Sequence, residues 1–151
     1  LQRTTAIPMF DEPLVVLTPK DHPWAGRSDV SPAELDDEKL LLLDEGNCLR
    51  DQTLALCQRY GTNPPVAVAT TLSTVVRMVA HGAGVTVIPE GALGLLNDDE
   101  HGVAHFADNA AVRRIGLVHR SSSSRTGDFQ HLASVITELA RGAGLPMLPL
   151  A

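Results

Sequence analysis

Short continuous apolar runs alternate with helically spaced apolar positions along this chain. Leu14-Val15-Val16-Leu17 predicts a buried strand, closed by the turn cluster Pro19-Lys20-Asp21-His22-Pro23. Ser31-Pro32-Ala33-Glu34 supplies an N-cap, a proline at the first helical position and a capping-box glutamate, so a short helix starts there. Leu40-Leu41-Leu42-Leu43 predicts a second buried strand. Beyond Asp44-Glu45-Gly46, Asn47 is placed to cap a helix over 48–60, and Gly61 to end it. A third strand is predicted over 66–69. Thr70-Thr71 then precede a helix whose Leu72, Val75, Val76 and Val79 share one face. His81-Gly82-Ala83-Gly84 stops that helix before a strand over 85–89. The stretch 90–109 is less regular, with a turn or short helix, a polar loop and a strand over 103–106. A further strand over 114–118 is followed by an amphipathic helix marked by Phe129, Leu132, Ile136 and Leu139. This alternation implies an α/β protein with a mainly parallel sheet. Ligand sites in such sheets gather where helix N-termini meet strand C-termini, here Gly46-Asn47-Cys48 and Ala69-Thr70-Thr71.

Composition narrows the function. The 151 residues suit one domain or two small lobes. Twelve basic against 18 acidic residues, a net charge of −6, argue against this chain gripping nucleic acid by itself. Aromatics at 3% leave few surfaces for stacking bases. No run approaches the roughly 20 apolar residues of a membrane helix, and the first residues lack a signal-peptide core, so a cytoplasmic location without membrane contact is expected. His101 and His105 stand four apart in a Gly- and Asp-rich stretch with no cysteine nearby, so no metal site is expected. No glycine-rich nucleotide motif is present, and no cofactor is expected.

Two cysteines are too few for a disulfide framework. Cys48 falls in the first turn of its helix, where the helix dipole and nearby Arg50 both favour a thiolate. Asp51 could cap the helix or neutralise Arg50. An isolated cysteine there is more often an ordinary small buried hydrophobe. Cys57 follows nine positions on, which in an intact helix separates the two Cα atoms by ~13.5 Å. A disulfide needs about 7 Å or less, so the pair can bond only if part of the helix unwinds. Spacing leaves open whether it does.

The segment Leu41-Leu42-Leu43-Asp44-Glu45-Gly46-Asn47-Cys48-Leu49-Arg50-Asp51-Gln52, with Cys57 closing it, resembles the redox-active segment of the OxyR-type peroxide sensors. These belong to the LysR-type transcriptional regulators. Asp21-His22-Pro23-Trp24-Ala25, Ala69-Thr70-Thr71-Leu72, Met78-Val79-Ala80 with Gly82-Ala83-Gly84-Val85, and Ile115-Gly116-Leu117-Val118 agree in order. The resemblance implies a periplasmic-binding-protein-like (type 2) α/β regulatory domain. Residues 1–11 would form a crossover strand or linker, 12–110 a second regulatory lobe, 111–141 the return strand and helix of an incomplete first lobe, and 142–151 a flexible tail.

By the same resemblance hydrogen peroxide oxidises Cys48, and Cys57 resolves the sulfenic acid as a disulfide. Asn47, Arg50, Asp51 and Arg113 would surround the thiolate, with Arg114 the rival of Arg113 by one register step. A thiol reductant such as glutaredoxin or thioredoxin would reset the pair. DNA would be read through a helix-turn-helix outside this chain, in a homo-oligomeric parent that regulates transcription and is not an enzyme. The family usually carries histidine before the reactive cysteine. Asn47 can cap the helix but cannot titrate near neutral pH, so weaker peroxide reactivity is expected. Other readings are an effector-binding domain holding a small anion at Thr70 and Thr71, a thiol peroxidase, or an inactive truncated relic. An orphaned last strand and helix would also leave Phe129, Leu132, Ile136 and Leu139 as an apolar patch.

Overall fold

Leu14–Leu17 and Leu40–Leu43 carry apolar side chains at every position, which only strands covered on both faces can bury. A computed structural model, describing residues 3–96 and 99–151, places them so. The strands are β1 (Thr4–Pro19), β2 (Leu40–Leu43), β3 (Val66–Ala69), β4 (Thr86–Pro89), β5 (His101–His105) and β6 (Val112–Arg120). The helices are α1 (Cys48–Tyr60), α2 (Leu72–Ala80) and α3 (Thr126–Gly142), with short 3-10 segments at Pro32–Asp37, Glu90–Leu95 and Ala107–Asn109. The chain divides into two compact units, one of residues 14–111 and one of the N-terminal residues through Pro13 with 112–151.

In the 14–111 unit the side chains alternate between two apolar layers. Leu14, Val16, Leu40, Leu42, Val85, Val87 and Ala104 join Trp24, Leu35, Leu56 and Cys57 on one side. Val15, Leu17, Leu41, Leu43 and Ile88 join Val75 and Val79 of α2 on the other. β2 and β3 pair in parallel, and the parallel bridge Leu40↔Val85 extends that layer. β1 instead pairs antiparallel with both β4 and β5. The expected mainly parallel sheet is therefore corrected. Helical crossovers keep β2, β3 and β4 running one way, whereas β1 enters from the other unit and runs against its neighbours. The helix expected at Ser31 is a six-residue 3-10 segment with its capping box intact: Ser31 Oγ accepts the Ala33 amide, and Glu34 accepts the Ser31 amide at 2.8 Å. The strand expected over 103–106 is β5, which begins two residues earlier at His101; there His105 Nε2 meets Glu90 at 3.1 Å.

Gly84 lets β4 leave α2. A Cβ on it would collide with the Lys39 carbonyl oxygen, which accepts the Val85 amide at 2.9 Å. Gly84→Ala is expected to destabilise this unit by about 2–4 kcal/mol through that clash and the φ of +156°, read as a lower denaturation midpoint.

In the second unit, the first half of β1 pairs antiparallel with β6, with a register shift between Pro8 and Phe10. α3 buries Ala133 and Ala140 and stacks Phe129 on His119 at 4.6 Å. Of the expected apolar patch, Leu132 and Leu139 are 46% and 68% exposed, while Phe129 and Ile136 are half-buried. In the stretch expected as a flexible tail, Leu148 exchanges two backbone hydrogen bonds with Asp11, at 3.1 and 2.7 Å. Charge is partitioned: residues 14–111 hold six basic and fourteen acidic residues, a net −8, against six and four elsewhere, a net +2.

Candidate functional site

The first turn of α1 is built by capping chemistry. Asn47 is extended, and its Oδ1 accepts the Leu49 amide at 2.9 Å. Cys48 is the first helical residue and its thiol is exposed. Asp51 adds an acidic group to the first turn, which complements the positive end of the helix dipole. Arg50 turns back across the strand end, its Nη1 donating to the Leu43 carbonyl at 3.0 Å. Among the described residues it makes no ion pair with Asp51. The buried Thr53 hydroxyl donates to the Leu49 carbonyl at 2.9 Å.

Cys57 lies on the inner face, only 4% exposed, in the apolar layer with Trp24, Leu35, Leu40, Leu42 and Leu56. Its carbonyl accepts the Thr62 amide at 3.0 Å, while the Gly61 amide reaches the Gln58 carbonyl at 3.2 Å. Gly61 takes the left-handed φ of 68° that this cap requires. Both thiols are free.

β2 and β3 end side by side, with Leu43 opposite Ala69, so α1 and α2 start from adjacent strand ends. Thr71 caps α2: its Oγ1 accepts the Thr74 amide at 3.2 Å and lies within hydrogen-bond distance of the Ser73 and Thr74 hydroxyls. Thr70 is exposed beside it. Asn47, Cys48, Arg50 and Asp51 are thus gathered in one turn. Arg113 belongs to the other unit, where it pairs with Glu12 at 2.7 Å. One register step on, Arg114 grips Asp11 through two hydrogen bonds of 2.9 and 3.0 Å. That guanidinium holds the Asp11 carboxyl below the usual carboxylate range.

Sequence reasoning missed several neighbours of the cysteine turn. A small cavity of about 10 Å³, room for about one water, is lined by Leu42, Leu43, Leu49, Arg50, Thr53, Leu72, Thr86 and Val87. Gln52, one turn beyond Cys48, buries its amide oxygen without a partner. Leu49 packs against both apolar layers. Spacing carries no signal for these, because each depends on how α1 sits against β2, β4 and α2. Among the described residues no cluster of three or more metal-ligating side chains forms, and no helix is long and apolar enough to cross a membrane.

The sequence matches the LysR substrate binding domain family over residues 2–141, and the chain belongs to that family. Within it, a probable hydrogen peroxide-inducible genes activator of Mycobacterium avium is 46% identical over 138 residues, covering 89% of this chain and 44% of the relative. A cysteine variant of Corynebacterium glutamicum OxyR superimposes with a TM-score of 0.85 at 38% identity, covering 100% of this chain and 50% of that one. A hydrogen peroxide-bound serine variant of the same protein gives 0.81 at 39%, covering 94% and 48%. The fold is thus the α/β, periplasmic-binding-protein-like type 2 topology of OxyR-type regulatory domains. The chain spans about half the length of these relatives or less.

Proposed function

We propose that this chain is the redox-sensing part of a peroxide-responsive LysR-type transcription regulator, switched by a reversible Cys48–Cys57 disulfide. The observation that carries the reading is the placement of the two thiols. Cys48 is exposed at a helix N-terminus, and Cys57 is buried nine positions on in the same helix. Hydrogen peroxide is the oxidant: the Cys48 thiolate attacks one peroxide oxygen, the O–O bond breaks, and hydroxide leaves, giving a sulfenic acid. The Cys57 sulfur then displaces that oxygen as water, forming the S–S bond. One peroxide is reduced to two waters as two thiols are oxidised. Because ~13.5 Å separates the two Cα atoms in the helix, the bond forms only with α1 partly unwound. Oxidation therefore changes the fold locally, as a signal requires. A dithiol reductant such as thioredoxin or glutaredoxin resets the pair.

Asn47, Arg50 and Asp51 shape the cysteine turn in this reading. DNA contact and homo-oligomer formation belong to the full-length regulator, in the cytoplasm. The Thr70–Thr71 anion reading has less support, because the Thr71 hydroxyl is already committed to capping α2.

The test is a stoichiometric peroxide dose on reduced protein followed by peptide mapping. The expected product is a linked pair of peptides containing Cys48 and Cys57, lighter by two hydrogens and reverted by a dithiol. Cys48 recovered unmodified, or both thiols recovered unlinked, would overturn the reading.

A further inference from the structure

We propose that Leu49 is the positioning residue that sets how fast the oxidised Cys48 condenses with Cys57; this rests on the disulfide reading above. Leu49 is the neighbour of Cys48 and is half-buried. It packs against the layer that contains Cys57, Leu56 and Trp24 and also against the layer built on Val15, Leu41 and Val75. Its amide is held by Asn47 Oδ1 at 2.9 Å, and its carbonyl accepts the Thr53 hydroxyl at 2.9 Å. For Cys48 to reach Cys57 this turn must unwind. Leu49 then leaves both apolar layers at once, and Arg50 is drawn off the Leu43 carbonyl.

The peroxide step makes no such demand, since the Cys48 thiol is exposed in the intact helix. The cost of withdrawing Leu49 therefore falls on the second chemical step alone. In the reduced protein Leu49 thus acts as a latch against premature unwinding, and its release disturbs both faces of the sheet together.

The experiment compares unmodified protein with Leu49→Ala, Leu49→Val and Leu49→Met, timing the two steps separately. Sulfenic acid formation is followed by trapping with a carbon nucleophile, and condensation by the appearance of the linked peptide. Alanine is expected to leave the peroxide step within about twofold and to speed condensation roughly tenfold. Valine should shift it less in the same direction, and methionine, close to leucine in volume, should restore the original rate. Alanine is the better helix former, so helix propensity alone would slow unwinding; acceleration reports lost packing. Condensation that is unchanged or slower in the alanine and valine variants overturns the proposal, as does an equal acceleration of both steps. Failure of the unmodified protein to form any disulfide would overturn the functional reading itself, and is seen before any variant is made.

Discussion

Cys57→Ala is expected to abolish the disulfide while leaving oxidation of Cys48 in place, so that the protein accumulates sulfenic acid. The residue is 4% exposed and surrounded by leucines. Replacing its thiol by hydrogen removes one heavy atom from a packed layer, a loss of about 1–2 kcal/mol that the fold absorbs. The cap at Gly61 and Thr62 uses the Cys57 carbonyl and survives the change. Without the buried thiol, the sulfenic acid at Cys48 has no partner within the chain. It is expected to persist long enough to be trapped, and under excess peroxide to advance to the sulfinic acid. Intact mass after a stoichiometric peroxide dose distinguishes the outcomes: one added oxygen for the variant, two lost hydrogens for the unmodified protein. A variant that reacts with peroxide yet retains a free thiol at 48 would show that the oxidised residue lies elsewhere.

The second large effect is on stability in the other unit. The Asp11 side chain is 5% exposed and receives two hydrogen bonds from Arg114. Asp11→Ala is expected to cost about 2–3 kcal/mol, the range for hydrogen bonds to a charged group, because half-exposed Arg114 returns its charge to water and is not stranded. The pH dependence has a definite sign. Arg114 lowers the folded-state pKa of Asp11 below its unfolded value. The stabilisation is therefore complete above the unfolded carboxylate range, roughly pH 4, and is lost as pH falls through the lower folded value. Denaturation midpoints of unmodified and Asp11→Ala protein should differ most at neutral pH and converge in acid. Glu34 is shifted the same way by Arg27 and the Ser31 amide, so acid also weakens the 14–111 unit. A gap that stays constant down to pH 2 would contradict the ion-pair account.

The cysteine helix was legible because its determinants are local. Asn47, Cys48–Tyr60 and Gly61 form a cap, a helix and a left-handed stop within 15 consecutive residues, and each sits where its chemistry requires. The capping box at Ser31 was readable for the same reason, although its helix proved to be 3-10. The direction of β1 was not readable. Leu14–Leu17 announces a strand covered on both faces, but nothing in an apolar run states which way its neighbours run. Nor does Val112–Arg120 announce that Arg113 and Arg114 will meet Glu12 and Asp11 across a strand pair. The same holds for Arg50, whose bond to the Leu43 carbonyl spans a turn that periodicity does not describe. Local caps and stops come from neighbouring residues; pairings and packing partners come from the tertiary fold.

The uneven charge distribution bears on which oxidants reach the thiol. Cys48 stands among exposed Asp44, Glu45 and Asp51, in a unit carrying a net −8. Hydrogen peroxide is neutral and crosses that field without an electrostatic penalty. Anionic oxidants such as hypochlorite or peroxynitrite are repelled on approach, and added salt weakens the repulsion. In the proposed sensor this acidic surface would favour neutral oxidants over anionic ones before any chemistry begins at sulfur.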